Sequence, residues 1–284
     1  MKPIVRTDAA GVPRHVSFSR AETQEAFGPL APQAQADEFL RKHGYLLALT
    51  EPSLDSLAKT VARRPDSSQS ELRVETQKRV QDTHVVGYAQ TYFGLPVVAA
   101  GVSVTLRDDP PSVLAASSTV VHSIDVARPS DTDLKRLDAK FEQREGQSVR
   151  VADLGLALAT NGDDSKYDAR INAARLVVFQ FRTKEREAQP HEHPGTEQEG
   201  LQQEGLPTLP LPPLPATIRD GAFYVAEEVY FTMTTPQSGR LNWVMYVDAS
   251  TLAILKLRAL VDHATASVFL RDPITKGSGV LASA

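Results

Sequence analysis

Few side chains in this chain are of the types and spacings that do chemistry. His191-Glu192-His193 puts two imidazoles and a carboxylate within three residues. Zinc proteases use H-E-x-x-H, in which a helix brings both histidines to one face. Residues two apart point to opposite sides of a strand and share no helix face, so this string makes no ligand set. It lies in a tract almost without apolar residues, where a solvated linker explains it. Ser117, Ser118, His122 and Asp125 offer a nucleophile, a base and an orienting carboxylate. No G-x-S-x-G elbow accompanies them, and a strand followed by a turn accounts for the same residues. The other histidines, at 15, 43, 84 and 263, are scattered, and the absence of cysteine excludes thiolate chemistry and disulfides. The expectation is no catalytic residue, no metal and no cofactor.

Three further groups have a binding reading beside a structural one. Glu227 and Glu228 interrupt an otherwise apolar strand, where a charged sheet edge is the commoner cause and a contact site the other. Tyr88, Tyr92, Tyr224 and Tyr230 fit cross-strand aromatic pairs better than a binding platform. Leu209 to Pro215 has PxxP character, for which a stiff spacer is the simpler reading.

The elements that must carry these residues follow from hydrophobic periodicity. Residues 1–33 have few periodic apolar positions and read as an extended N-terminal arm. Ala36, Phe39, Leu40, His43 and Leu47 recur at helical spacing and predict a helix over 34–49. Glu51-Pro52-Ser53 opens a second short helix striped by Leu54, Leu57, Ala58 and Val61. A strand over 72–80 leads to His84–Leu106, two β-runs around Phe93-Gly94-Leu95-Pro96, and a further strand covers 113–124. Ser130 or Asp131 caps a helix carrying Leu134, Leu137 and Phe141. A short strand and then a helix are expected over 149–159, and a strand over 175–182. Residues 184–216 read as a disordered Glu/Gln-rich stretch followed by a Pro-rich spacer. From Ala222 three strands follow as a meander, turning at 236–239 and 248–251. The predicted class is α+β, as two small domains, each an antiparallel sheet packed with helices.

The central hairpin also carries a resemblance. Tyr88, Gln90, Tyr92, Gly94, Pro96 and Val97 match, in register, the Y-x-Q-x-Y-x-G-[IVL]-P-V segment of the fungalysin/thermolysin propeptide (FTP) domain. Phe93 departs from it, standing where Asn or another polar residue is usual. Trp243, Tyr246, Val247 and Asp248, followed by Ala249 and Thr251, resemble the PepSY module that accompanies that domain in thermolysin-like prosegments. Leu252 departs from that pattern in the place of a usual Gly, so a different turn type is expected there. The resemblance implies an FTP-like domain over 34–125, a PepSY-like domain over 126–266 with the insertion 184–216, and a C-terminal tail over 267–284. It implies a non-catalytic module that binds and inhibits or chaperones a thermolysin- or fungalysin-type metalloprotease. Phe269, Asp272 and Pro273 would be its partner contacts. The other reading is a structural or adaptor protein of a larger secreted or surface assembly.

Composition bounds the rest. The 284 residues are 41% apolar and 23% charged, ordinary for a globular chain of one or two domains. A net charge of −4 provides no basic footprint, so nucleic acid is not an expected partner. No run is long and apolar enough to span a bilayer. Residues 1–20 show no apolar h-region, so no signal peptide is visible, although the resemblance implies a bacterial secreted, extracellular or periplasmic protein.

Overall fold

A computed structural model describes residues 3–18, 31–108, 111–141, 146–156, 168–186, 211–235 and 239–260. Among them lie eleven strands and two α-helices. In chain order these are β1 (Ile4–Thr7), β2 (Pro13–Ser17), α1 (Pro32–His43), β3 (Glu71–Val80), β4 (Thr83–Tyr92), β5 (Leu95–Arg107) and β6 (Ser112–Ser118). Then come α2 (Asp131–Lys140), β7 (Ser148–Arg150), β8 (Asp168–Gln180), β9 (Phe223–Thr235), β10 (Gly239–Asp248) and β11 (Ile254–Leu260). The molecule is sheet-rich with some helix.

The strands form two antiparallel sets. One runs β1-β2-β6-β5-β4-β3. In the other, β8 pairs with β7 and β9, and β10 and β11 follow β9. A parallel bridge between Val97 of β5 and Val178 of β8 joins them, which makes the whole a mixed sheet.

Each helix seals one set. Pro32 starts α1 where a missing N–H is tolerated, and Arg41, Lys42 and His43 lie in its last turn, at the negative end of the helix dipole. Its Phe39 and Leu40 are buried in a core with Val86, Tyr88, Val102, Val104 and Leu106. Ser130 caps α2 by accepting from the Asp133 N–H at 3.1 Å. Leu134 and Leu137 of α2, with Phe141, meet Ile171, Val178, Val229, Phe231 and Met245 in a second core. The opposite face of β8–β11 holds a third cluster, including Val177, Phe179, Ala226, Tyr246 and Leu255.

Several expectations are corrected. The arm over 1–33 contributes β1 and β2, and Val16 is fully buried where β2 pairs with β6. The helix over 34–49 ends as a 3-10 turn, Gly44–Leu47, stopped by Ala48 at φ 56°. After Glu51 there is only a 3-10 turn, because Leu54 and Leu57 need burial but not further helix. The strand over 113–124 stops at Ser118, and over 149–156 β7 is followed by a 3-10 turn, Val151–Leu154. Residues 157–159, the end of the expected helix, lie outside the described residues. The ends of the 184–216 stretch are folded. Lys256 Nζ binds Glu185 at 2.8 Å, Arg186 Nη2 donates to the Pro212 carbonyl at 2.5 Å, and Leu211 and Leu214 pack on the cores. The meander β9–β11 falls where the alternation placed it.

Candidate functional site

Tyr92 pairs with Leu95, so Phe93 and Gly94 alone close the β4–β5 hairpin. Both lie at positive φ, 55° and 74°. This is the geometry of a type I′ turn, whose twist matches that of the strands it joins. Glycine reaches it freely, whereas Phe93 is strained and rests its ring edge-on against Tyr92, 4.7 Å away. The segment before β3 grips this tip. The N–H groups of Ala62 and Asp66 donate to Gly94 and Phe93 carbonyls at 2.7 and 2.8 Å, and Phe93 N–H donates to Ser68 at 3.2 Å. Beneath it the buried Arg73 binds Asp66 at 2.8 Å, Glu71 at 2.9 Å and Ser68 at 3.0 Å. Burial works against the Arg73 charge, yet the bonds to Asp66 and Glu71 outweigh it and hold its pKa above the ordinary value.

Further along the hairpin each matched residue is engaged in packing or hydrogen bonding. Tyr88 is buried in the α1 core, and its hydroxyl donates to Asp37 Oδ1 of α1 at 2.5 Å. Burial first, then Asp37, pushes its pKa well above the usual tyrosine value. Gln90 uses both ends of its amide on one residue: Nε2 donates to the Val121 carbonyl at 2.7 Å, and Oε1 accepts from the Val121 N–H at 2.8 Å. It thereby pins the loop after β6 as a strand would. Leu95, Val97 and Ala100 belong to the second core, with Tyr92 packed against it. One hairpin therefore serves both cores.

The switch between cores requires a break in β5. Pairing with β4 jumps from Ala89↔Gly101 to Thr91↔Pro96, leaving Val97 to Ala100 out of that ladder, and Ala99 turns at φ 59°. Pro96, which has no N–H to give a ladder, sits where β5 leaves. Gly101 is required sterically, since a Cβ there would collide with the Tyr88 carbonyl oxygen.

Trp243 stacks on Phe231 in the second core at 6.4 Å and 12°. Asp248 is buried and caps the β10–β11 turn, accepting from Thr251 N–H at 2.8 Å and Thr251 Oγ1 at 2.6 Å. Leu252 takes φ 61°, a left-handed conformation that glycine would reach without strain.

Where the two sets diverge lies a cleft of about 410 Å³. Its walls include Gly87, Ala89, Gly101 and Ser103 of β4 and β5, the Pro96–Ala100 break, Ser117, and Arg175 and Glu228 of β8 and β9. Arg175, Glu228 and Tyr246 are direct cross-strand partners on β8, β9 and β10. Arg175 Nε meets Glu228 Oε2 at 2.6 Å, and Tyr246 Oη donates to Glu228 Oε1 at 2.8 Å. Arg175 Nη1 reaches back to Glu75 Oε1 of β3 at 3.1 Å, an ion pair linking the two strand sets. Burial opposes the Arg175 charge, but Glu228 and then Glu75 raise its pKa. Burial, then Glu228, pushes that of Tyr246 well up.

Other expected sites dissolve. Glu227 and Glu228 are not on an edge: β9 lies between β8 and β10, and the two are 5% and 3% exposed. Ser117 shares a hydrogen bond with His15 Nδ1 at 2.8 Å, while His122 and Asp125 stand exposed, so the residues considered as a triad do not assemble. Tyr224 Oη accepts from the Arg219 N–H at 2.7 Å and is an anchor for that turn. Among the described residues no three His, Asp or Glu side chains are placed to hold a metal. Residues 191–193, Phe269, Asp272 and Pro273 lie outside the described residues. The Arg73 and Glu75–Arg175–Glu228–Tyr246 clusters were not foreseen. Only register places those four together, and the one signal in the sequence was a pair of acids on an apolar strand.

No family model matches the chain, and no curated protein matches it. Among solved structures it is similar to the Bacillus megaterium YpeB C-terminal domain, at 12% identity, over 92% of this chain and 83% of that one. The TM-score is 0.34, too loose a likeness to carry fold or function across. No helix among the described residues is long and apolar enough to cross a membrane.

Proposed function

We propose that this chain is a non-catalytic, prosegment-like module that binds a thermolysin- or fungalysin-type metalloprotease and inhibits or chaperones it outside the cytoplasm. The observation that carries the reading is how the matched residues are used. Tyr88, Gln90, Gly94 and Val97 tie two cores together through one hairpin, and Trp243 and Asp248 hold the meander. A motif used for joining cores suits a protein whose product is a shaped surface rather than a reaction. In this reading 34–125 is the FTP-like part and 126–266 the PepSY-like part.

A structural adaptor is the second reading, favoured by β1. Among the described residues β1 pairs only with β2, and its Ile4 and Val5 are 57% and 39% exposed, which suits strand addition by a partner. Size-exclusion chromatography of the chain mixed with a thermolysin-like protease separates the two. The protease reading expects a one-to-one complex, and separate elution with such proteases turns the assignment to the adaptor.

A further inference from the structure

We infer that the cleft between the two strand sets is a binding site for an extended peptide segment that inserts a basic side chain, Lys or Arg, beside Glu75. This deepens the protein-binding reading and rests on it. Its size falls within the range of about 300–1,000 Å³ usual for ligand sites. Its charged lining residues are Glu75, Arg175 and Glu228, so the site carries a net charge of −1. The three are not equivalent. Glu228 is sealed, its side chain 4% exposed and both oxygens bonded, one by Arg175 and one by Tyr246. Arg175 is committed to two carboxylates. Glu75 is the outer member, its side chain 34% exposed, held at Oε1 by a single Arg175 nitrogen. A carboxylate has about four lone-pair sites, so Glu75 retains capacity for a second cation.

An incoming anion meets an arginine already neutralised and the surplus negative charge, whereas an incoming ammonium or guanidinium completes the balance. Elsewhere the lining mixes small residues such as Ala89 and Ala99 with apolar Pro96, Val98 and Val177, and the hydroxyls of Ser103 and Ser117 lie alongside. Buried Glu228 keeps Arg175 fixed and thereby orients Glu75.

The test is ¹⁵N–¹H spectroscopy of the full chain titrated with acetyl-Ala-Ala-Lys-Ala-Ala-amide and its Lys→Glu and Lys→Ala forms. The lysine peptide should shift the amides of Gly87, Gly101 and Ser103 saturably. The other two should bind at least about tenfold more weakly, the scale of one charge-assisted bond. Glu75→Gln should weaken the lysine peptide about tenfold with spectral dispersion kept, and Ser103→Trp, which fills the cleft, should abolish binding. Equal shifts from all three peptides, no shift with lysine, or an unaffected Glu75→Gln variant overturns the inference. Peptide binding that survives in Ser103→Trp overturns the inference and spares the protease reading. Its loss with the protease complex intact supports the cleft as a peptide site and puts the protease contact elsewhere. Lysine-selective binding without any protease complex supports the cleft and overturns that reading.

Discussion

Phe93 holds a bulky side chain at φ 55°, a conformation that costs an L-residue roughly 1–2 kcal/mol, next to a glycine that adopts its own φ freely. Asn tolerates this conformation better. Phe93→Asn should therefore stabilise by about 0.5 kcal/mol despite losing the Tyr92 contact, while Phe93→Ala loses the contact and keeps the strain. Urea unfolding should rank Asn above wild type and wild type above Ala; the reverse order contradicts the turn assignment. Tyr88 and Tyr246 give a pH signature. Their folded pKa values are raised, so their contribution is complete below the ordinary tyrosine value of 10.0 and is lost as pH rises beyond it. Tyrosinate absorbance should show both ionising only as the chain unfolds. Two such tyrosines titrating near 10 in the folded protein would count against the burial described.

At the scale of elements, β5 depends on Gly101 and the loop after β6 on Gln90. Gly101→Ala drives a methyl into the Tyr88 carbonyl, main chain that cannot rotate away, and should cost about 2–3 kcal/mol in urea unfolding. A change under 0.5 kcal/mol would mean that β5 does not approach β4 as described. Gln90→Leu strands the Val121 N–H and C=O and should cost about 2 kcal/mol, with faster hydrogen exchange confined to the loop after Ser118. Much of this layer was legible. Alternation located β3, β4, β5 and the meander, and Gly94 and Pro96 marked the turn and the departure of β5. Glu227 and Glu228 misled because a charged strand inside a sheet needs partners, and Arg175 and Tyr246 are supplied by register, which no local pattern records. β1 and β2 were missed for a similar reason: four or five residues become strands only because β6 offers an edge.

At the scale of the molecule, the sheet-and-helix character was readable from periodicity, whereas the way β5 passes from one core to the other was not, because it hangs on Ala99 and Gly101 geometry. A hairpin shared by two cores makes their folding interdependent. Trp243 fluorescence, which reports the second core, and far-ultraviolet circular dichroism should trace one coincident urea transition. Two separated transitions would mean that the hairpin does not couple them. The central claim is that the assembled surface engages a protease rather than performing chemistry. Its most direct measurement is residual activity of a thermolysin-like metalloprotease titrated with the intact chain. The account predicts a linear fall to an end point at one equivalent, with the chain uncleaved. Full activity across a panel of such proteases, with the chain folded throughout, would contradict it.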